Sequence, residues 1–121
     1  MSESEGRPSR RSLVVLVALV LAVSGGSSWW AARQKQDIGR EVAAQARPGD
    51  IRMLSSTTCA SCIVARLWFQ EHRVPFSECY IDRDEACANE FAATRLPGTP
   101  VLLVRGVPQL GFSPERLRDS L

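Results

Sequence analysis

The chain is short of several things, and each shortage removes a class of function. Among 121 residues there is one histidine, His72. Placed near the end of a helical pattern, it reads as a contact to a helix dipole rather than as a catalytic base. Residues 50–121 have almost no net charge, with eight Arg against nine Asp or Glu. That balance argues against a phosphate-binding surface, so no nucleic-acid partner is expected. There is no internal repeat and no low-complexity tract. Between Leu13 and Ala32 there is no charged residue at all.

That uncharged block organises the N-terminal part. Residues 1–12 form a polar, basic tail with Arg7, Arg10 and Arg11. Leu13–Val23 is an unbroken apolar run, and 13–32 as a helix is about 30 Å long, enough to span a bilayer. Trp29 and Trp30 lie at its far end, where interfacial aromatics are favoured. A core helix of a soluble protein would show polar positions at each turn, and this block shows none. Two readings stay open: an uncleaved single-pass anchor, or a signal peptide with small residues at Ala22, Ser24 and Gly26. Basic residues flank both ends (Arg33, Lys35, Arg40 and Arg47 follow it), so the positive-inside rule is indecisive. The short tail favours a domain on the periplasmic side. Residues 33–49 read as a solvated linker with some helicity, stopped by Pro48-Gly49.

Residues 50–121 read as one compact α/β domain. Asp50–Ser55 is a strand. A helix follows from Cys62 to Arg73, with Ile63, Val64, Leu67 and Trp68 at helical spacing. Val74-Pro75 ends it. Phe76–Ile81 alternates as a second strand. Asp82 and Asp84 stand where a cap belongs, ahead of a helix over Glu85–Thr94. Pro100–Val104 and Val107–Leu110 form a strand pair around Gly106. Ser113 caps a last helix with Pro114 at its first position. The order is β-α-β-α-β-β-α, a four-stranded mixed sheet with three helices.

The chemistry is carried by Cys59-Ala60-Ser61-Cys62. Only a thiolate attacks a disulfide, and a helix N-terminus stabilises negative charge there. Cys59 falls at that position and is assigned as the nucleophile, with a pKa below the free value of about 8.5. Cys62, one turn on, resolves the mixed disulfide. Thr57 and Thr58 are expected to cap the helix or to hydrogen-bond the sulfur. In Gly98-Thr99-Pro100-Val101, a proline at the start of an apolar strand cannot donate to the ladder. A cis Pro100 facing the dithiol is expected, with the Thr99 backbone free to pair with a substrate strand.

On these features the stretch from Asp50 to Leu121 resembles a glutaredoxin-like member of the thioredoxin superfamily. They are the strand-TTCASC-helix start, Val74-Pro75-Phe76 leading to Tyr80-Ile81-Asp82, Gly98-Thr99-Pro100-Val101, and Gly111-Phe112 before the last helix. The resemblance implies a thioredoxin-like fold, which here follows the single transmembrane helix read from residues 13–32, and thiol–disulfide exchange through Cys59 and Cys62. Thr58, Thr99, Pro100, Gly111 and Phe112 would line the substrate. The implied partners are protein disulfides or low-molecular-weight thiols. No bound cofactor is implied, and glutathione enters as reductant or substrate. This chain departs from the usual pattern in having Ala60-Ser61 for Pro-Tyr, Ser56 for a Lys, and Gly111-Phe112-Ser113 for a Gly-Gly-Asp turn.

Cys79 and Cys87 complete the cysteines. A structural disulfide, a second redox pair and two buried thiols are all open readings. Two other functions compete with exchange: a metal or iron–sulfur carrier using the cysteines, and a redox-inactive module that keeps only the fold. No dedicated metal site is assigned.

Overall fold

The structure, a computed structural model, describes residues 6–121, so the first part of the basic tail lies outside the described residues. The chain divides into two units, Met1–Lys35 and Gln36–Leu121.

In the first unit the residues from Arg10 onward belong to α1, Arg10–Gln45. Leu13, Val14, Leu16, Val20 and Val23 are all exposed along it. Two of the three serines among its small residues return their hydroxyls to the helix: Ser27 Oγ donates to Val23 O (2.7 Å) and Ser28 Oγ to Ser24 O (3.0 Å). That pairs these two hydroxyls within the helix itself. Arg33 lies over the Trp29 ring at 4.2 Å, a cation–π pair at the end of the apolar run. The helix is long and apolar enough to cross a membrane, and a signal sequence meets the same description.

The second unit has the expected element order. It contains β1 (Ile51–Ser55), α2 (Ala60–Glu71), β2 (Ser77–Tyr80), α3 (Glu85–Thr94), β3 (Val101–Val104), β4 (Val107–Leu110) and α4 (Pro114–Asp119). The sheet order is β2-β1-β3-β4. β1 pairs in parallel with β2 and antiparallel with β3, and β3–β4 is an antiparallel hairpin. Strand alternation divides the core between the two faces. Ile51, Met53, Leu102 and Val104 meet Ala65 and Phe69 of α2 and Leu117 of α4. Leu54 and Val101 turn the other way, toward Cys87 and Phe91 of α3.

One expectation needs correction. The supposed linker over 33–49 supplies core: Ile38 and Val42 are buried in the cluster with Phe69 and Leu117, and Ala43 and Ala46 pack against it. Their spacing puts them on one helix face, and burial of that face stabilises the end of α1 against the sheet. The helix α2 stands where the spacing of Ile63, Val64, Leu67 and Trp68 puts one. Ile63, Val64 and Leu67 are exposed, and the buried stripe is Cys62, Ala65 and Phe69. Of the four residues that mark the spacing, only Trp68 packs against the core, beside Phe69 and Phe112.

Candidate active site

The end of β1 and the start of α2 bring Cys59 and Cys62 together. They form a disulfide, with Cα atoms 5.3 Å apart. Cys59 is itself the N-cap of α2, extended at φ −99° and ψ 104°, and its Sγ accepts from the Cys62 backbone N–H at 3.1 Å. This corrects the expectation that Thr57 or Thr58 caps the helix. Cys62 is fully buried and Cys59 is partly exposed. An attacking disulfide or thiol therefore reaches Cys59 first, and an N–H at the helix end already points at its sulfur.

The Thr99–Pro100 peptide is cis. Pro100 is fully buried, and its carbonyl accepts from Gly111 N–H at 2.8 Å, which ties the start of β3 to the end of β4. Among the described residues, no backbone hydrogen bond uses the N–H or carbonyl of Thr99. A groove of about 340 Å³ runs beside these residues, lined by Ser61, Val64, Thr99, Pro100, Leu110, Gly111 and Phe112. Four residues expected to line the substrate thus line one groove together with Ser61 of the Cys-Ala-Ser-Cys turn. Thr58 is not: it is exposed in the turn before Cys59 and takes no part in lining the groove.

On the other side, a smaller groove of about 210 Å³ is lined by Ser56, Thr57, Ile63, Arg66, Tyr80 and Arg83. Beneath it is a polar network that the sequence did not reveal. Glu78 accepts from the Ser55 hydroxyl (3.1 Å) and from Arg66 Nε (2.9 Å), and Arg66 also donates to the Tyr80 hydroxyl (3.1 Å). Ser55 is fully buried, so Glu78 gives its hydroxyl the partner it needs. The hydrogen bond to Glu78 raises the Arg66 pKa against the opposing effect of burial. Arg66 is therefore an ion-pair member and not a freely solvated side chain.

Of the two aspartates that stand where a cap belongs, Asp84 caps α3, accepting from Cys87 N–H at 3.2 Å. Asp82 turns to the active-site loop, where its carboxylate accepts the Thr57 backbone N–H at 3.1 and 3.2 Å and the Thr57 hydroxyl. The hydroxyl bond holds the Asp82 pKa below its ordinary value, against desolvation. Because the folded-state value is depressed, whatever Asp82 adds to stability is present above the ordinary carboxylate range. It is lost as pH falls through the depressed value.

Cys79 and Cys87 also form a disulfide, joining β2 to α3 with Cα atoms 6.0 Å apart. Arg52 approaches this bond, with Nη2 3.6 Å from Cys79 Sγ, and pairs with Glu90 at 2.9 Å. Among the described residues, no group of three or more His, Cys, Asp or Glu is placed to hold a metal ion.

No protein-family model matches the chain. No curated protein matches it either. Solved structures do. The thioredoxin-like protein BC3987 is 22% identical, with a TM-score of 0.53 over 59% of this chain and 99% of that one. A point mutant of that protein gives 21% identity and a TM-score of 0.54, covering 59% of this chain and 92% of the other. Wheat glutaredoxin gives 16% identity and a TM-score of 0.48 over 74% and 90%. The first two likenesses, with the mixed four-stranded sheet and its strand order, give residues 51–119 a thioredoxin-like fold.

Proposed function

We propose that this protein is a thiol–disulfide oxidoreductase of glutaredoxin type, exchanging disulfides through Cys59 and Cys62. The observation that carries the reading is the position of Cys59: N-cap of α2, partly exposed, its sulfur accepting from a helix-end N–H, with Cys62 sealed beneath it. In the reducing direction the Cys59 thiolate attacks one sulfur of a substrate disulfide. A Cys59–substrate bond forms, and the other substrate sulfur leaves as a thiolate that takes up a proton. Cys62 loses its proton and attacks Cys59 Sγ, expelling the second substrate thiolate and closing the Cys59–Cys62 disulfide. Two electrons pass from the dithiol to the substrate, and the same steps reversed oxidise a substrate dithiol.

The groove supports a polypeptide substrate. Thr99 has an unused backbone N–H and carbonyl beside buried Pro100, suited to an added strand. Val64, Leu110 and Phe112 give that strand apolar neighbours. Low-molecular-weight thiols, glutathione among them, are the proposed alternative substrate or reductant. Residues 13–32 are proposed to anchor the chain in a membrane with the domain on its periplasmic side, where an oxidising space also suits the Cys79–Cys87 bond.

The test is turnover of a model peptide disulfide by the reduced chain. Cys59→Ser should lower the rate by about two orders of magnitude or more, as removal of a nucleophile does. Equal turnover by wild type and Cys59→Ser would overturn the reading.

A further inference from the structure

We propose that Asp82 is a positioning residue for the Cys59–Cys62 centre, acting through Thr57, and that the Cys79–Cys87 disulfide keeps Asp82 in place. The proposal rests on Cys59 being the attacking thiol.

The loop before Cys59 is held at both of its ends. Ser55 is tied down twice: its carbonyl accepts from Ile81 N–H at 2.8 Å and its hydroxyl donates to Glu78. Cys59 opens α2, its carbonyl accepting from Ile63 N–H at 3.4 Å. Between them lie Ser56, Thr57 and Thr58. Beyond the tight turn at Thr57 and Thr58, the hydrogen bonds of these three, among the described residues, are those of Thr57 to Asp82. The carboxylate takes both the N–H and the hydroxyl of a residue two positions before the nucleophile. It thereby sets the direction from which the chain enters the N-cap.

That direction matters for the sulfur. Cys59 Sγ meets the Cys62 N–H only because Cys59 is extended at the helix end. A thiolate there is stabilised by such N–H groups when they point at it, and less so when the loop wanders.

Asp82 is itself held at the tip of a short closed segment. Arg83 and Asp84 N–H groups both donate to Tyr80 O, at 3.2 and 3.0 Å. Asp84 caps α3, and the Cys79–Cys87 bond closes the segment at its base, eight residues apart. The second disulfide thus lies in mechanical series with the first: Cys79–Cys87, then Asp82, then Thr57, then Cys59.

A carboxylate acting only by its charge has the opposite consequence. Negative charge near a thiolate disfavours it, so its removal alone would make Cys59 more reactive. The sign of the effect therefore separates positioning from electrostatics.

The experiment uses the full chain in detergent micelles, gently reduced, with pulses of iodoacetamide across a pH series and peptide mapping at Cys59. No substrate disulfide is involved, so failure here is distinguishable from failure of the exchange reading. Asp82→Ala should slow Cys59 alkylation near neutral pH by about tenfold and move the midpoint of its pH profile upward. Asp82→Asn keeps a carbonyl oxygen for Thr57 and should retain most of the wild-type rate. Thr57→Val should show part of the loss. A Cys79→Ala/Cys87→Ala chain should shift in the same direction, and adding Asp82→Ala to it should add little. Unchanged or faster alkylation in Asp82→Ala overturns the proposal. Should that variant fail to fold, an unchanged profile in Thr57→Val does so.

Discussion

Gly39 shows how much a single residue decides where the last turns of α1 meet α2. It is buried, and a Cβ built on it would collide with the His72 imidazole. His72 is pinned in turn by the Trp68 ring, 4.6 Å between centroids. Gly39→Ala improves helix propensity by about 1 kcal/mol but overpacks this contact, which typically costs 1–3 kcal/mol. Thermal unfolding should therefore show net destabilisation, and Gly39→Ala with His72→Ala together should recover most of it. No recovery would mean that the collision is relieved elsewhere. The same scale shows what was legible beforehand. Cys59, Cys62, Thr99 and Pro100 stand in short local motifs, so adjacency in sequence carried the information. Thr57 and Asp82 are 25 positions apart and meet only because β1 lies against β2, so nothing local announces the pair. Nothing near His72 in sequence announces its packing against Gly39, because that contact needs the last turns of α1 against α2.

At the scale of elements, α2 is the instructive case. Helical spacing was visible in Ile63, Val64, Leu67 and Trp68, and the helix is there. Periodicity reveals a helix more readily than it reveals which face is buried when two faces carry apolar residues. Cys62, Ala65 and Phe69 also recur at helical spacing, and the sheet takes that face because Phe69 fits between Phe76 and Phe112. A double replacement Ile63→Ser with Leu67→Gln should thus change stability by only about 0.5 kcal/mol per site. Phe69→Ala should lose about 3–5 kcal/mol. Denaturant midpoints test the contrast, and comparable losses at both faces would contradict the packing described. The strands were easier, because alternation and the Gly106 turn leave few arrangements for four short strands. The parallel β1–β2 pair follows from the helix between them.

For the whole molecule, the folded part begins before the first strand, within the end of α1. The uncharged block gave the anchor or signal segment a clear outline. The segment after it looked polar enough to be a stalk, yet its apolar residues Ile38, Val42, Ala43 and Ala46 close the core. A chain beginning at Gln36 should fold with a native circular dichroism spectrum and melt. One beginning at Asp50 leaves Ile38 and Val42 unreplaced and should lose on the order of 3–5 kcal/mol. Equal stability of the two would return residues 36–49 to the status of linker. The central claim is that one buried and one accessible cysteine at the head of α2 exchange disulfides, with the accessible one bonding to substrate. The most direct measurement is disulfide mapping by mass spectrometry, after a full-length Cys62→Ser chain has reacted with a peptide disulfide. The expected result is a stable mixed disulfide between the peptide and Cys59, with Cys79 and Cys87 still joined. Peptide found on Cys79 or Cys87, or no mixed disulfide while wild type turns over the same peptide, would contradict it.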